Sequence, residues 1–170
     1  MRLLLTGGAG FIGSHTALLL LQRGYDVIIF DSFVNSSSKV INAIKSYLEA
    51  EGTSYKLKTI KGDIRDKKSL DKIFKDSIKE GKAIQAVIHF AGLKSVSESV
   101  KYPLKYWDVN VCGTKNLLEI MKENECYSIV FSSSATIYGL SNSIPIKEDH
   151  QISPINPYGQ TKAAIEFMLR

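Results

Sequence analysis

Long apolar runs are absent from the sequence, and this absence is the first constraint on what the protein can be. A membrane-spanning helix needs about 20 consecutive apolar residues. The apolar start of the chain is interrupted by Thr6-Gly7-Gly8, and no run of that length follows. The same interruption is unlike the apolar core of a secretory signal peptide. The sequence therefore predicts a cytoplasmic protein without a membrane partner.

Cysteine is also scarce, because the 170 residues include only Cys112 and Cys126. Both lie in helical patterns without the CxxC spacing of a redox pair, so we expect reduced cysteines that pack in the interior. No group of histidine, cysteine and carboxylate residues has the spacing of a metal site, and no metal is expected. With 44% hydrophobic and 23% charged residues, the composition is that of one globular domain over residues 1–170.

Acidic residues are fewer than basic ones, which gives a formal net charge of +5. Four lysines recur at helical spacing and predict an exposed helix face: Lys68, Lys72, Lys75 and Lys79. A nucleic-acid site would interleave aromatic residues with the basic ones, and only Phe74 lies among them. We therefore expect no nucleic-acid partner, whereas the positive charge suits an anionic small-molecule ligand.

Short apolar runs alternate with helical patterns along the whole chain. Five runs are predicted strands: Arg2–Thr6, Val27–Phe30, Lys56–Ile60, Ala86–Phe90 and Ile129–Phe131. Lys56–Ile60 alternates more, whereas the other four are continuous apolar runs, which suit strands buried on both faces of a parallel sheet. Between the last two, a 3-4 spacing predicts one apolar helix face: Leu104, Trp107, Val111, Thr114, Leu118 and Met121. Residues 135–156 predict a long loop. The alternation predicts an α/β fold with a doubly wound parallel sheet.

The first strand leads into a glycine-rich segment with the sequence Thr6-Gly7-Gly8-Ala9-Gly10-Phe11-Ile12-Gly13. Its glycines satisfy the G-x-G-x-x-G pattern between a strand and an apolar helix. In that setting they allow a tight turn and let the backbone approach a pyrophosphate, while the helix N-terminus offers unpaired N–H groups. The segment predicts a dinucleotide-binding site, with an ordinary glycine turn as the alternative.

Asp31 ends the second predicted strand, 18 residues after Gly13. From this position a carboxylate accepts a hydrogen bond from a ribose 2′-hydroxyl. The alternative is that Asp31 caps the turn that follows. Ser32 comes next and no arginine is adjacent, so a 2′-phosphate would meet a carboxylate without a compensating cation. The sequence therefore favours NAD over NADP.

Two further segments follow predicted strands at the same edge of the sheet. Asp63 and Ile64 come after the third strand, where a side chain can reach an adenine edge; a loop or capping aspartate is the alternative. The small residues of Phe90-Ala91-Gly92-Leu93-Lys94 let the backbone pass a bulky ligand after the fourth strand. Lys94 either faces a phosphate or ribose or is an ordinary exposed lysine.

Tyr158 and Lys162 form a Tyr-x-x-x-Lys pair on a helix whose start is marked by Asn156 and Pro157. At this spacing both side chains lie on one helix face. A tyrosine with a pKa of about 10 is a poor base at neutral pH, and a nearby ammonium lowers the cost of its ionisation. Ser134, the last of three serines after the fifth strand, supplies a hydroxyl that holds or relays the proton. These three side chains are candidate catalytic residues.

Together these residues resemble the extended short-chain dehydrogenase/reductase superfamily and, within it, the UDP-glucose 4-epimerase family. The resemblance covers essentially all 170 residues and is carried by residues 5–16, 62–65, 87–94, 110–114 and 131–139. It implies a Rossmann NAD-binding fold, with NAD contacted by Gly7, Gly10, Phe11, Ile12, Gly13, Asp31, Ser32, Asn35, Ser36, Asp63, Ile64, Phe90, Ala91, Gly92, Lys94 and Asn110. It implies Ser134, Tyr158 and Lys162 as the catalytic set. Lys94, Ser134 and Tyr158 would contact a UDP-sugar substrate.

The reaction implied by the resemblance is epimerisation of the UDP-sugar at C4. Ionised Tyr158 takes the proton of the 4-hydroxyl while hydride leaves C4 for the nicotinamide, and hydride returns to the other face of a transient 4-keto sugar. Nucleotide-sugar dehydratases are the nearest alternative. They resemble one another in an acidic residue just after the strand-five serine or threonine, where this chain has Ala135 and Thr136. The epimerase reaction is therefore favoured.

Members of the family are about twice as long, and the resemblance implies a chain truncated before a C-terminal substrate domain. The last helical pattern still continues at Arg170, which agrees with truncation. A second hypothesis is an NAD-binding module without turnover. The resemblance also implies a homodimer of the full-length enzyme through the helices Pro103–Glu123 and Pro157 onward, and we expect Ile165 and Leu169 to be poorly covered in this chain. The choice between UDP-glucose and UDP-N-acetylglucosamine is left open.

Overall fold

A computed structural model describes residues 1–141 and 144–170. Within them the strands are β1 (Arg2–Thr6), β2 (Asp26–Asp31), β3 (Lys56–Lys61), β4 (Ile84–His89) and β5 (Ile129–Phe131). The α-helices are α1 (Phe11–Gln22), α2 (Lys39–Ala50), α3 (Lys67–Lys79), α4 (Val96–Lys101), α5 (Pro103–Tyr106), α6 (Gly113–Glu123) and α7 (Pro157–Leu169). A π-helical segment, Trp107–Cys112, lies between α5 and α6, and a 3₁₀ turn, Ala135–Tyr138, follows β5.

The chain forms two compact units. The first unit consists of Met1–Ala91 and Asn116–Ser132, and it contains all five strands. The second consists of Gly92–Lys115 and Ser133–Arg170, and it contains α4, α5, the π-helical segment and α7. One domain over residues 1–170 stays a prediction.

The first unit is built on a parallel sheet with the strand order β3-β2-β1-β4-β5. β1 lies in the middle, where Leu3 pairs with Val27 of β2 and with Ala86 of β4. All residues of β1 and β2 are buried, as is usual for the inner strands of a parallel sheet that is covered on both faces. Because the order runs outward from β1 in both directions, the predicted doubly wound α/β fold is confirmed.

Apolar side chains of β1 and β2 pack against α1 and α2. The buried cluster consists of Leu3, Leu5, Ala9, Ala17, Leu21, Val27, Ile29, Ile41, Ile44 and Leu48. Full burial of a leucine or isoleucine side chain contributes roughly 1.5–3 kcal/mol. This cluster therefore holds the carboxyl ends of β1 and β2 in place, and the glycine segment and Asp31 extend from those ends.

The ends of the strands differ slightly from the prediction. β2 includes Asp26, which is buried with its carboxylate 3.2 Å from Arg2 Nη2 and 2.9 Å from Lys82 Nζ. Burial by itself would raise the pKa of Asp26, but the two cations outweigh it and lower that pKa. β4 begins earlier than predicted and ends at His89, so Phe90 belongs to the loop that follows.

The predicted apolar face between residues 104 and 121 is wrong in its first half. Leu104 is 81% exposed and Trp107 is 38% exposed, while Tyr106 and Asn110, which are not on the predicted face, are buried. The cause is the π-helical segment, because its i→i+5 hydrogen bonds place more residues in each turn than an α-helix does. Residues spaced three and four apart therefore do not all lie on one face of this region.

The predicted loop over residues 135–156 contains the 3₁₀ turn at its start, and two of its residues, Asn142 and Ser143, lie outside the described residues. The predicted start of α7 is confirmed. Asn156 is the N-cap, and its side chain accepts a hydrogen bond of 2.8 Å from the backbone N–H of Gly159. Ile165 is only 1% exposed, so the expectation that it would be poorly covered is wrong.

Two other features bear on the sequence predictions. Cys126 is buried as expected, but Cys112 is exposed, and the expectation that both cysteines pack in the interior is wrong for Cys112. No helix in the described part of the chain is long and apolar enough to cross a membrane.

Candidate active site

The glycine segment turns tightly between β1 and α1. Gly7 has a φ of +68°, and a Cβ at this position would lie 2.5 Å from the backbone nitrogen of Ala91. A Cβ at Gly13 would lie 2.6 Å from the carbonyl oxygen of Gly7. Gly10 is different, because its Cβ would meet only that same oxygen, at 3.3 Å. Gly7 and Gly13 are therefore required by packing within the protein, whereas a Cβ at Gly10 would crowd only one backbone oxygen at the start of α1.

The two residues after Gly10 are exposed although they are apolar. Phe11 is 77% exposed and Ile12 is 59% exposed. Both belong to the first turn of α1, where backbone N–H groups have no partner within the helix. The structure thus places an open backbone and two apolar side chains at the position where the sequence predicts a dinucleotide.

Asp31 is buried at the end of β2 and connects two turns. One carboxylate oxygen accepts a hydrogen bond of 2.9 Å from the backbone N–H of Ala9. The other accepts from the backbone N–H of Phe33 and from the hydroxyl of Ser36, both at 2.9 Å. A carboxylate has about four acceptor positions, so this arrangement leaves room for one more donor. Ser32 is half-buried and Asn35 is exposed in the same turn.

Asp63 and Ile64 lie beyond the end of β3. The carboxylate of Asp63 accepts hydrogen bonds from the Arg65 side chain, with Nη2 at 2.6 Å and Nε at 3.0 Å, and from the Arg65 backbone N–H. These contacts lower the pKa of Asp63. Ile64 is buried. Asp63 therefore pairs with Arg65, and contact of either residue with an adenine stays a prediction.

The loop after β4 is fixed by hydrogen bonds along its length. In the first unit, the backbone N–H of Phe90 donates to the carbonyl of Thr6 at 2.9 Å. In the second unit, the Asn110 amide oxygen accepts from the backbone N–H of Leu93 at 2.7 Å, and its nitrogen donates to the Leu93 carbonyl at 3.0 Å. Lys94 is exposed.

Asn110 is 1% exposed and holds this loop rather than presenting its amide to solvent. Its amide nitrogen also donates to Thr161 Oγ1 of α7 at 3.1 Å. A Cβ at Gly92 would lie 3.0 Å from the Asn110 amide oxygen. Asn110 thus connects residues 92–93 to the helix that carries the candidate catalytic tyrosine, and its contact with a cofactor stays a prediction.

Tyr158 and Lys162 lie on α7 with their side chains together. The ammonium nitrogen of Lys162 is 5.9 Å from the centre of the Tyr158 ring. Lys162 is only 6% exposed, and burial lowers its pKa to about 8. Because that pKa is still above 7, the ammonium form predominates at neutral pH. The ring of Tyr106, a fully buried residue, forms a T-shaped pair with the ring of Tyr158, with ring centres 6.5 Å apart.

Ser134 lies at the beginning of the 3₁₀ turn that follows β5. Its hydroxyl oxygen accepts hydrogen bonds from the Thr136 hydroxyl at 2.9 Å and from the Thr136 backbone N–H at 3.3 Å. The neighbouring Ser133 donates a short hydrogen bond to a carboxylate oxygen of Glu166 on α7. Ser134, Tyr158 and Lys162 all belong to the second unit.

Four residues around the candidate catalytic set were not identified from the sequence: Tyr106, Thr136, Thr161 and Glu166. Tyr106 and Thr161 are fully buried polar side chains, whereas Thr136 and Glu166 are half-buried. Glu166 follows Lys162 at the helical spacing that relates Lys162 to Tyr158, and this recurrence is a signal that could have been used. The other three carry no such pattern.

A parallel sheet whose first strand enters a helix through a glycine turn, together with a Tyr-x-x-x-Lys pair on a later helix, defines a nucleotide-binding protein of the short-chain dehydrogenase/reductase type. The GDP-mannose 4,6 dehydratase family model matches residues 4–170. The chain belongs to that family.

Its relatives narrow the resemblance further. The chain is 45% identical to the UDP-glucose 4-epimerase of Bacillus subtilis (strain 168) over 170 residues, which is 100% of this chain and 47% of that protein. It is 46% identical to the bifunctional UDP-glucose 4-epimerase and UDP-xylose 4-epimerase 1 of Pisum sativum over 171 residues, with 99% and 47% covered. The chain spans about half the length of the curated relatives it matches. The resemblance to the UDP-glucose 4-epimerase family is confirmed.

Solved structures agree with this assignment. The UDP-glucose 4-epimerase of Bifidobacterium longum, determined in complex with NAD+ and UDP, matches with a TM-score of 0.89 and 40% identity, covering 100% of this chain and 48% of that chain. The enzyme of Stenotrophomonas maltophila, with bound NAD and formylated UDP-arabinopyranose, matches with a TM-score of 0.88, covering 99% and 47%.

Proposed function

We propose that the protein interconverts UDP-glucose and UDP-galactose by epimerisation at C4, with NAD as its cofactor. The observation that carries this proposal is the buried Lys162 ammonium beside the ring of Tyr158. A positive charge in this position is what a tyrosine requires to act as a base at neutral pH. The epimerase relatives support the choice of substrate. A cytoplasmic location is part of the same proposal.

The residues of this chain divide the chemistry among them. Tyr158, once ionised, takes the proton of the sugar 4-hydroxyl, and the Lys162 ammonium stabilises the phenolate before that transfer. Ser134 contacts the sugar through its hydroxyl. NAD, when bound, would supply the hydride acceptor and, in its reduced form, the hydride donor for C4. Tyr158 would return its proton to the 4-oxygen as the hydride comes back to the other face of the sugar. Lys94, an exposed cation, suits a contact with the negative diphosphate.

The residues of the first unit fit NAD. The open backbone at Gly10 suits the approach of a pyrophosphate to the start of α1. The remaining acceptor position of Asp31 suits a ribose hydroxyl. The other contacts proposed in this unit are Gly7, Phe11, Ile12, Gly13, Ser32, Asn35, Ser36, Asp63, Ile64, Phe90 and Ala91. Gly92, Lys94 and Asn110 of the second unit are proposed as further contacts.

We expect binding of NAD to be at least about tenfold tighter than binding of NADP, because Asp31 would repel a 2′-phosphate. Replacing Asp31 by Ala together with Ser32→Arg should narrow or reverse this preference. Isothermal titration of both nucleotides measures it. Ser37→Ala is the control, because Ser37 is exposed in the same turn and is not among the proposed contacts. Equal affinity of the unmodified chain for the two nucleotides would show that Asp31 has been wrongly assigned.

Two glycine substitutions should distinguish an effect on NAD affinity from an effect on the free energy of unfolding. Gly13→Ala forces a Cβ against the backbone of Gly7 and Gly8 and should lower the free energy of unfolding by about 1–3 kcal/mol. Gly10→Ala should change stability by less than about 1 kcal/mol but should weaken NAD binding about tenfold or more. Urea unfolding and NAD titration of both variants test this. Unchanged NAD affinity in Gly10→Ala would contradict the proposed pyrophosphate position.

The test of the function itself is an epimerase assay with UDP-galactose, coupled to the oxidation of UDP-glucose. It is run on the chain as it stands and on the chain joined at Arg170 to the C-terminal half of the Bacillus subtilis relative. Turnover in either form supports the proposal. NAD binding without turnover in both forms would instead support an NAD-binding module. A 4-keto-6-deoxy product from GDP-mannose would support a dehydratase.

We also propose that the complete enzyme is a homodimer through α5–α6 and α7. Large apolar side chains on these helices are exposed, with Leu104 at 81%, Phe167 at 60% and Met168 at 40%. Light scattering of the chain joined to the C-terminal half of the Bacillus subtilis relative should give twice the mass of one fused chain at high concentration. The double substitution Leu104→Glu and Phe167→Glu should reduce the measured mass to that of one fused chain. A mass of one chain at every concentration would contradict association through this surface.

A further inference from the structure

Thr136 lies two residues after Ser134 and directs two hydrogen-bond donors at its hydroxyl. The Thr136 hydroxyl donates to Ser134 Oγ at 2.9 Å, and the Thr136 backbone N–H donates to the same oxygen at 3.3 Å. A serine hydroxyl has two acceptor positions and one proton. Both acceptor positions are thus taken by Thr136, and the Ser134 hydroxyl has only its own proton left to offer.

The residues on both sides of Ser134 contact α7. On one side, Ser133 donates to the carboxylate of Glu166. On the other, a Cβ at Gly159 would lie 2.8 Å from the carbonyl oxygen of Thr136, so the 3₁₀ turn packs directly on the helix backbone. Gly159 is the neighbour of Tyr158 in the sequence. Ser134 is therefore held at a fixed place relative to the helix that carries Tyr158 and Lys162.

We propose that Thr136 is a positioning residue that makes the Ser134 hydroxyl an obligatory donor toward the 4-oxygen of the sugar. This inference rests on the proposed function. During the reaction the proton of the 4-hydroxyl passes to Tyr158, while Ser134 keeps its own proton and donates a hydrogen bond. Such a bond strengthens as negative charge develops on the acceptor oxygen. A serine free to rotate would also accept from the 4-hydroxyl, and that arrangement would hold the proton that Tyr158 must remove.

The test compares Thr136→Val, which removes the hydroxyl and keeps the shape, with Thr136→Ser, which keeps a hydroxyl. In the form of the protein that turns over, Thr136→Val should lower kcat roughly tenfold with little change in KM, and Thr136→Ser should retain most of the activity. Thr59→Val on β3, where Thr59 is exposed, is the matched control. In a Ser134→Ala background, Thr136→Val should have no further effect, because the hydroxyl that it orients is gone.

The outcomes distinguish a failure of the proposed function from a failure of the positioning role of Thr136. Absence of UDP-galactose turnover both in the chain as it stands and in the chain joined to the C-terminal half of the relative refutes the proposed function. An active protein in which Thr136→Val is as fast as the unmodified form refutes the positioning role alone. A tenfold loss that persists in the Ser134→Ala background also refutes it, because Thr136 would then act on the fold in general. Urea unfolding of the same single and double variants gives a readout independent of activity, and additive effects on unfolding would refute the hydrogen bond itself.

Discussion

Tyr158→Phe is expected to lower epimerase turnover by roughly 10²–10⁴-fold. The substitution removes one ionisable oxygen, which in the proposed mechanism takes the proton of the sugar 4-hydroxyl, and it removes little volume. The ring stays in place because its contacts with Tyr106 and Lys162 involve the aromatic face and edge. NAD affinity should therefore be nearly unchanged. The coupled assay measures turnover, and isothermal titration measures NAD binding.

The matched control is Tyr127→Phe, because Tyr127 is 74% exposed and belongs to the other unit. It should leave turnover and NAD affinity unchanged. Ser134→Ala should fall between this control and Tyr158→Phe if Ser134 donates to the sugar oxygen. Full activity of Tyr158→Phe would mean that Tyr158 only covers the start of α7, and the proposed mechanism would then be abandoned.

The sheet could be predicted from the sequence because its inner strands are buried on both faces. A strand in that position must be apolar at nearly every residue, and Leu3–Leu5 and Val27–Phe30 satisfy this requirement. The pattern could not show that Asp26 also belongs to β2. Burial of that carboxylate depends on Arg2 and Lys82, which reach it at 3.2 and 2.9 Å. Such partners are distant in sequence, and local patterns do not show them.

The helical region around residue 110 could not be predicted for a different reason. The 3-4 spacing assumes α-helical turns, and the π-helical segment Trp107–Cys112 violates that assumption. Asn110 lies inside this segment, and its amide holds Leu93 and Thr161, 17 and 51 residues away in sequence. Tertiary contacts of this kind override the local periodicity. The segment departs from regular geometry at the point where the loop after β4 and α7 are connected.

The residues of the candidate site also fall into those that the sequence could predict and those that it could not. Motif residues such as Gly10, Asp31 and Tyr158 could be found because their chemistry requires fixed residue types at fixed spacing. The residues that fix their neighbours could not be found, because Thr136 and Glu166 act through contacts that exist only in the folded chain. The sequence therefore predicts the candidate reactive groups but not the residues that form hydrogen bonds with Ser134 and its neighbour Ser133.

The burial of Lys162 is expected to lower the free energy of unfolding at neutral pH. Its pKa is lowered from 10.5 to about 8, and the cause is burial. For a base, a pKa lowered in the folded state means that the ammonium is less favourable there than in the unfolded chain. This cost is fully present below about pH 8, falls as the pH rises from 8 toward 10.5, and is absent above that value. A shift of this size corresponds to about 3 kcal/mol.

Lys162→Met should therefore raise the free energy of unfolding at pH 7 by up to about 3 kcal/mol, while it abolishes turnover and weakens NAD binding. The gain should shrink when unfolding in urea is measured at pH 9.5, because the lysine then buries less charge. Lys72→Met on the exposed face of α3 is the control and should change stability little at either pH. A Lys162→Met variant that is destabilised equally at both pH values would show that Lys162 stabilises the fold. Burial of Lys162 would then not be a destabilising feature that the chemistry of Tyr158 requires.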